Sequence, residues 1–176
     1  MLLSKSVPLD QISERVVHWL QESGLSVSFT PNVPDYFNIT VSPPPPATGP
    51  ILNIARPKQE APFYVVGMGV MLHEEHYAKL SSLASGQRNA FLNELKYEYL
   101  RMNVDFVFLP PQAEIPRQIQ LLKLIFLDGL TQNALYNTYT TVRNAGLLTI
   151  WKLIEKFGVA WTLIGQLYSR LRRLSH

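Results

Sequence analysis

The sequence contains no cysteine among its 176 residues. This absence excludes disulfide bonds, thiolate catalysis and cysteine-ligated zinc or iron–sulfur centres. The groups that remain for chemistry are the side chains of serine, threonine, histidine, aspartate, glutamate, lysine and tyrosine. Any catalytic site would have to be built from oxygen and nitrogen groups alone.

Long apolar runs are also missing. The N-terminal segment MLLSKSVPLDQISERVV lacks an apolar core of signal-peptide length, and no other run approaches the roughly 20 residues that span a bilayer. We therefore expect a cytoplasmic protein. With 47% apolar and 16% charged residues, the composition is that of one compact domain, which we place at residues 1–158.

Excess charge is confined to one end of the chain. The sequence has 16 Lys and Arg against 13 Asp and Glu, and three arginines near the C-terminus, Arg170, Arg172 and Arg173, account for the difference. The preceding residues are therefore neutral as a whole. A neutral body argues against a broad nucleic-acid surface, because binding a duplex by counterion release usually takes a patch of phosphate contacts.

Residues 159–176 combine these arginines with apolar residues spaced three and four apart, which predicts a basic amphipathic helix. Two roles are open for it. The helix would either pack on the domain, with its arginines near the negative end of the helix dipole, or lie on an anionic membrane surface. We favour packing, because residues such as Trp161 and Leu167 would be costly to leave in water.

The first half of the chain predicts one helix followed by a sheet. LDQISERVVHWLQESG has apolar residues at helical spacing and ends near Gly24. Four short segments follow, SVSFT, YFNITVS, ILNIARP and FYVVGMGVML, each rich in β-branched or aromatic residues. Phe37, Ile39 and Val41 alternate with polar residues, so we expect a sheet with one buried face and one wetter face.

The second half predicts helix, two strands and helix. A helical stretch runs from about His73 to Met102 with a break near SGQ. Its expected inward residues are Leu80, Leu83, Phe91, Leu95 and Leu100. NVDFVFLPP is predicted to be a strand. Periodicity alone does not decide whether RQIQLLKLIFLDG is a strand or a helix. Because prolines bound it on one side and Asp128-Gly129 on the other, we predict a strand there too. Thr131 is a plausible N-cap for the last helix.

The run SPPPPATGP between two predicted strands has two interpretations. A preformed polyproline helix would suit a recognition domain, whereas a stiff exposed connection would have only a structural role. We favour the connection.

The stretch HEEH at residues 73–76 raises the question of a metal site. His73 and His76 would share a helix face with Glu74 or Glu75 beside them, an arrangement that would suit a metal-dependent hydrolase. A stable zinc site needs three or four ligands, and the zinc-protease pattern places its histidines four apart. Acidic residues also interact favourably with the positive end of a helix in its first turn. We favour this capping interpretation, and we predict no metal, no cofactor and no catalytic residue.

Four segments, FNITVSPP, ILNIARP, LKYEYLRMNVDFVFLPP and IFLDGLTQNALYNTYTTVRNAGLLTIW, resemble a family of uncharacterised, largely archaeal proteins. The fold of that family is similar to that of the type III secretion chaperones. The resemblance implies an α+β fold in which an antiparallel sheet is flanked by helices, in the order α-β(3-4)-α-β-β-α. It also implies small proteins that often dimerise and whose relatives bind polypeptides, and it carries no catalytic residue.

These observations favour a non-enzymatic protein-binding module, chaperone-like or adaptor-like. The alternatives are a metal-dependent hydrolase that uses His73 and His76, or a peripheral binder of anionic membranes. We also expect a homodimer, because small domains with a sheet face to cover commonly close a two-fold interface. The candidate partner-binding residues are Tyr136, Tyr139 and Trp151 on the last helix, with Arg170, Arg172 and Arg173 in the tail.

Overall fold

The computed structural model describes residues 10–158. Four helices are present in this range: α1 (Gln11–Glu22), α2 (Glu74–Ser82), α3 (Ser85–Arg101) and α4 (Gln132–Phe157). Six strands are present: β1 (Ser26–Phe29), β2 (Phe37–Ser42), β3 (Leu52–Arg56), β4 (Phe63–Met71), β5 (Asp105–Leu109) and β6 (Gln118–Phe126). They form one antiparallel sheet in the order β1-β2-β3-β4-β6-β5. The predicted α+β class is confirmed.

Helix α1 has a defined start and end. The carboxylate of Asp10 accepts a hydrogen bond from the backbone N–H of Ser13 at 2.8 Å, which satisfies one of the free donors at the helix N-terminus. Val16 and Leu20 are buried and four residues apart, so they lie on one face of the helix. Gly24 has φ +76°, a conformation that glycine adopts without strain, and the chain turns there into β1.

The predicted helical stretch is divided in two, as expected near SGQ, because α2 ends at Ser82 and α3 begins at Ser85. Phe91 and Leu95 are buried as predicted. The inward placement of Leu100 is wrong, since its side chain is 64% exposed. Tyr99 takes the inner position one helical turn after Leu95, and the next residue therefore points away from the core.

The last part of the chain agrees largely with expectation. The ambiguous segment is a strand, β6, in which Ile119 and Leu121 alternate with less buried residues. The Oγ1 atom of Thr131 accepts a hydrogen bond from the backbone N–H of Ala134 at 3.1 Å, so the N-cap of α4 is also confirmed. In the loop before β3, the N–H of Ala47 donates to the carbonyl of Pro44 at 2.9 Å. This turn interrupts the extended polyproline helix that a recognition domain would need.

The chain is divided into two compact units. The first comprises the residues up to Met68 together with Leu122–Arg143, and the second comprises Gly69–Leu121 together with the residues from Asn144 onward. The core of the first unit includes Val16, Leu20, Phe37, Ile39, Ile54, Tyr64, Val66, Leu135, Tyr139 and Val142. The core of the second includes Val70, Leu80, Phe91, Leu95, Tyr99, Ile119, Leu121, Thr149, Leu153 and Phe157.

Two sequence expectations concern membranes and the tail. Among the described helices, none combines the length and the apolar character that crossing a membrane requires. The predicted C-terminal helix at 159–176, with Arg170, Arg172 and Arg173, lies outside the described residues. The domain boundary predicted after residue 158 therefore stays a prediction.

Candidate functional site

The two histidines of HEEH have structural partners. His73 is the N-cap of α2, and its Nδ1 atom accepts a hydrogen bond from the N–H of Glu75 at 3.3 Å. His76 is 4% exposed, and its Nε2 atom lies 2.8 Å from the carbonyl oxygen of Gly158, so Nε2 carries the hydrogen that it donates. Within residues 10–158, no group of three or more His, Cys, Asp or Glu side chains is arranged to hold a metal ion.

The first turn of α2 accounts for the acidic residues of the motif. Glu74 and Glu75 both lie there, where the positive end of the helix dipole favours them. Glu74 also forms an exposed ion pair with Arg117 at 3.0 Å, and the guanidinium of Arg117 stacks on the ring of Tyr77 at 3.5 Å. Helix capping and one surface ion pair therefore explain these carboxylates.

Helix α2 also caps the end of α4. The Nζ atom of Lys79 donates to the carbonyl of Phe157 at 2.6 Å, beside the hydrogen bond from His76 to Gly158. The last carbonyls of a helix have no partner within the helix, and cationic side chains bind them favourably. Sequence reasoning missed this role, because Lys79 and Phe157 are far apart along the chain.

A second polar cluster lies in the first unit. Arg56 is 5% exposed, and its guanidinium contacts the carboxylate of Asp10 at 2.6 Å and the carbonyl of Ala61 at 3.0 Å. The hydroxyls of Ser13 and Tyr64 lie 2.7 Å apart, and both residues are fully buried. A serine beside a tyrosine resembles a catalytic pair, but no substrate reaches a hydroxyl that is enclosed in the core. The cluster anchors the start of α1 to the sheet.

The pKa values in this cluster reflect its structural role. Burial alone would raise the pKa of Asp10, but hydrogen bonds from Ser13 and the charge of Arg56 outweigh it, so the pKa of Asp10 is lowered. Burial raises the pKa of Tyr64, because the charged phenolate is disfavoured away from water. Asp10 is thus held as a carboxylate that compensates the buried charge of Arg56, and Tyr64 stays a neutral hydroxyl.

A concave site lies on the surface of the second unit, between α3 and α4. It has a volume of about 380 Å³ and is lined by Gln87, Ala90, Phe91, Glu94, Lys152, Glu155 and Lys156. Lys152 donates to Glu94 at 2.6 Å, and this hydrogen bond raises the pKa of the lysine. Because Lys152 stays charged and paired, it is a poor candidate for a general base or a nucleophile.

The sheet of the first unit has one face that the described helices leave open. Direct cross-strand partners point to the same face, and the pairs Ser28–Thr40, Thr40–Asn53 and Asn38–Ala55 define it. We call this surface the outer face. Over β1, β2 and β3 it carries amides and hydroxyls, and the amide of Asn53 lies 3.3 Å from the hydroxyl of Thr40 and 3.4 Å from the amide oxygen of Asn38. We call Asn38, Thr40 and Asn53 the amide strip.

The outer face becomes apolar towards β4 and β6. Val65 is the cross-strand partner of Ala55, which places Val65 and also Phe63 on this face. The ring of Phe126 packs against that of Phe63 at 5.8 Å, and Leu124 lies two residues before Phe126 on the same side of β6. We call Ala55, Phe63, Val65, Leu122, Leu124 and Phe126 the apolar strip.

The apolar strip is accessible to a partner. Phe126 is 51% exposed and Leu124 is 38% exposed, although both lie in a regular strand. The strand residues named for the outer face include no charged side chain; Asp35 reaches its rim by accepting a hydrogen bond from Asn38 at 2.7 Å. The groups that this surface presents are apolar side chains and neutral hydrogen-bonding groups, and its named strand residues include no acid or base.

The candidate residues predicted on α4 lie in different environments. Tyr139 is 1% exposed and belongs to the core, so it does not reach a partner in this arrangement. Its buried hydroxyl has no hydrogen-bond partner, and burial raises its pKa. Tyr136 is 38% exposed in the first unit, and Trp151 is 66% exposed in the second. The rings of Tyr136 and Tyr139 stack at 6.3 Å, whereas Trp151 belongs to the second unit. The sequence period could not separate exposed from buried aromatic residues on this helix.

The fold and the open sheet face define a class: a small α+β protein whose sheet has an uncharged and partly apolar outer face. The chain belongs to the family described as an uncharacterized conserved protein, DUF2299, which matches residues 12–153. It is also similar in fold to an uncharacterized protein from Methanothermobacter thermautotrophicus, known from a crystal structure. The TM-score is 0.73 at 24% identity, over 83% of this chain and 99% of that protein. No curated protein matches the chain.

Proposed function

We propose that the protein is a non-enzymatic protein-binding module, chaperone-like or adaptor-like, that holds an apolar segment of another polypeptide on its outer face. The observation that carries the proposal is the exposure of Phe126 and Leu124 on a regular sheet face. Exposed apolar patches on folded domains commonly mark sites of interaction. Each Å² of apolar surface removed from water stabilises a complex by about 25 cal/mol before the costs of association.

The chemistry of the same surface favours binding over catalysis. The apolar strip and the amide strip hold no titratable group among their strand residues, so they provide neither a general acid nor a general base. The buried Ser13–Tyr64 pair and the buried His76 are already engaged in structural hydrogen bonds. The secretion chaperone-like fold implied by the sequence resemblance is compatible with this role, since relatives of such proteins bind polypeptides.

Binding of an unfolded polypeptide tests the proposal. The probe is a dye-labelled, reduced and carboxymethylated protein that cannot fold, and the measurement is fluorescence anisotropy. The variant Leu124→Ser/Phe126→Ser removes the two most exposed side chains of the apolar strip. We expect it to weaken binding by at least about 10-fold, because anchoring residues at an interface contribute about 1–2 kcal/mol or more.

Trp151→Ser is the matched control, because it removes a larger and more exposed aromatic side chain outside the outer face. It should leave binding unchanged. Absence of binding by the wild-type protein at high micromolar concentration would contradict the proposal. An equal loss in the control would show that the probe responds to any exposed aromatic residue, and it would remove the outer face as the site.

A further inference from the structure

We infer that residues 159–176, which we call the tail and which lie outside the described residues, fold back as a helix and occupy the concave site between α3 and α4. The inference concerns the second unit alone, and it is independent of the outer face and of any polypeptide bound there. The sequence pattern predicts an amphipathic helix for the tail but does not say which surface that helix covers.

The end of α4 fixes where the tail begins. Gly158 has φ +81°, which lies outside the helical range, and its N–H donates to the carbonyl of Ile154 at 2.7 Å, as in a glycine-terminated helix. In a continuing helix the carbonyls of Phe157 and Gly158 would accept hydrogen bonds from the next turn. They accept hydrogen bonds from Lys79 and His76 of α2 instead. The tail therefore leaves α4 at Gly158 in a new direction.

The concave site lies beside this exit. Two of its lining residues belong to the last turn of α4. The ring of Phe91 on α3 lies 5.4 Å from the ring of Phe157, so the first half of α3 packs beside the end of α4. Further along α3, the hydroxyl of Tyr99 lies 2.7 Å from that of Thr149, which precedes Phe157 on α4, so the two helices are antiparallel. A chain that turns back at Gly158 therefore runs along both helices.

The tail matches the site in length and in polarity. As a helix it would reach about 27 Å, and α3, with 17 residues, spans about 26 Å. The lining of the site includes Ala90, Phe91 and the aliphatic stems of two lysines, and its two carboxylates balance the two ammonium groups. Such a lining suits an apolar helix face, which the tail supplies with Trp161, Leu167 and Leu171. Because the tail is tethered beside the site, its effective concentration there is on the order of millimolar, which favours it over a free partner.

Single-cysteine variants test the inference, because the chain has no cysteine of its own. Ala90→Cys places a thiol in the concave site, and Asn89→Cys places the matched control next to it on α3, outside the lining. Both positions are exposed in the structure. The measurement is the rate of reaction with a maleimide in the full-length protein, divided by the rate in urea. We expect the thiol at position 90 to react at least about 10-fold more slowly than the thiol at position 89, because the tail must first move away.

Substitutions in the tail, each combined with Ala90→Cys, show whether the tail provides this protection. Leu167→Asp places a charge on the apolar face of the tail helix, and it should raise the reaction rate at position 90 to that at position 89. Gln166→Asp adds the same charge on the polar face, and it should leave the protection in place. Circular dichroism identifies the variants that stay folded, and Leu171→Asp serves if Leu167→Asp does not fold.

Equal reaction rates at the two positions in the absence of tail substitutions overturn the inference. Protection that survives both Leu167→Asp and Leu171→Asp also overturns it, because another element would then cover the site. Protection that disappears on dilution does the same, since the tail of another molecule would then be the occupant. Phosphatidylglycerol vesicles at low salt supply the membrane alternative. Binding of the full-length protein to these vesicles, together with equal rates at the two positions, would assign the tail to the lipid surface and overturn the inference.

Discussion

Asp10 performs two structural tasks that substitution separates. One carboxylate oxygen caps α1 through Ser13, and the other pairs with Arg56, whose side chain is 6% exposed. Asparagine is an N-cap as good as aspartate, so Asp10→Asn keeps the cap. It removes the charge and places an amide donor where Arg56 needs an acceptor. Removing one partner of a buried ion pair costs about 3–5 kcal/mol. Because the Asp10 side chain is 27% exposed and solvent screens it, we expect a loss of about 2 kcal/mol.

Asp10→Ala removes the cap as well, and it should cost about 1 kcal/mol more than Asp10→Asn. Urea unfolding at pH 7 measures both differences. The dependence on pH gives a second check. Since the folded-state pKa of Asp10 is lowered, its contribution to stability is present above the unfolded value near 3.8 and is lost as pH falls through the lower folded pKa.

The gap in stability between wild type and Asp10→Asn should therefore shrink as pH falls below about 4, because the unfolded aspartate is protonated first and the native aspartate follows at its lower pKa. A gap that stays constant from pH 7 to pH 2 would refute the assigned role of the charge. Equal stability of wild type and Asp10→Asn at pH 7 would show that the pair with Arg56 adds nothing. Either result would leave the cap as the only function of the residue.

Four further predictions concern the second unit. The Oγ1 atom of Thr149 donates to a backbone carbonyl, so the hydroxyl of Tyr99 is the donor in their 2.7 Å hydrogen bond. Thr149→Val should cost about 1–3 kcal/mol in urea unfolding, because it leaves the buried hydroxyl of Tyr99 without an acceptor. Tyr99→Phe should cost only about 1 kcal/mol. Burial raises the pKa of Tyr99 to about 12, so its contribution to stability is complete below pH 10 and is lost as pH rises towards 12. The variant Tyr99→Phe should therefore lose less stability than the wild-type protein over this pH range in alkaline unfolding curves. Lys79→Met should cost about 1 kcal/mol, because it leaves the carbonyl of Phe157 without its cationic partner. Gly69→Ala should change stability by less than about 1 kcal/mol, because the added Cβ meets only the flexible ends of Gln118 and Gln120. Thermal melts that reverse this ranking would contradict both assignments.

The elements of the fold were accessible from local sequence patterns. The break between α2 and α3, the strand β6 and the Thr131 cap follow from turn residues, prolines and capping chemistry within a few positions. Strand order is a different matter. β5 lies at one edge of the sheet and β6 lies between it and β4, and this pairing depends on contacts between residues that are distant in sequence.

The sequence pattern predicted only part of the outer face, for a related reason. Alternation in β2 predicts a wetter face correctly, since Phe37 and Ile39 are buried and Asn38 is not. In β4 and β6 both faces are largely apolar, so no alternation marks which side meets water. The exposure of Phe126 depends on the absence of a covering layer among the described elements, which a single strand does not encode. The exposure of Trp151 could not be predicted for the same reason, because apolar residues occur around most of α4.

The two compact units interleave along the chain, since β4, β6 and α4 each begin in one and end in the other. No single cut separates them, and a fragment that keeps one whole would have to sever three regular elements. The family match from residue 12 to residue 153 includes parts of both. Neither unit is a continuous segment of the chain, so neither could be removed or joined to another protein at a single junction. Insertions compatible with this fold are expected in loops such as the proline-rich turn at 43–50, where no helix or strand is interrupted.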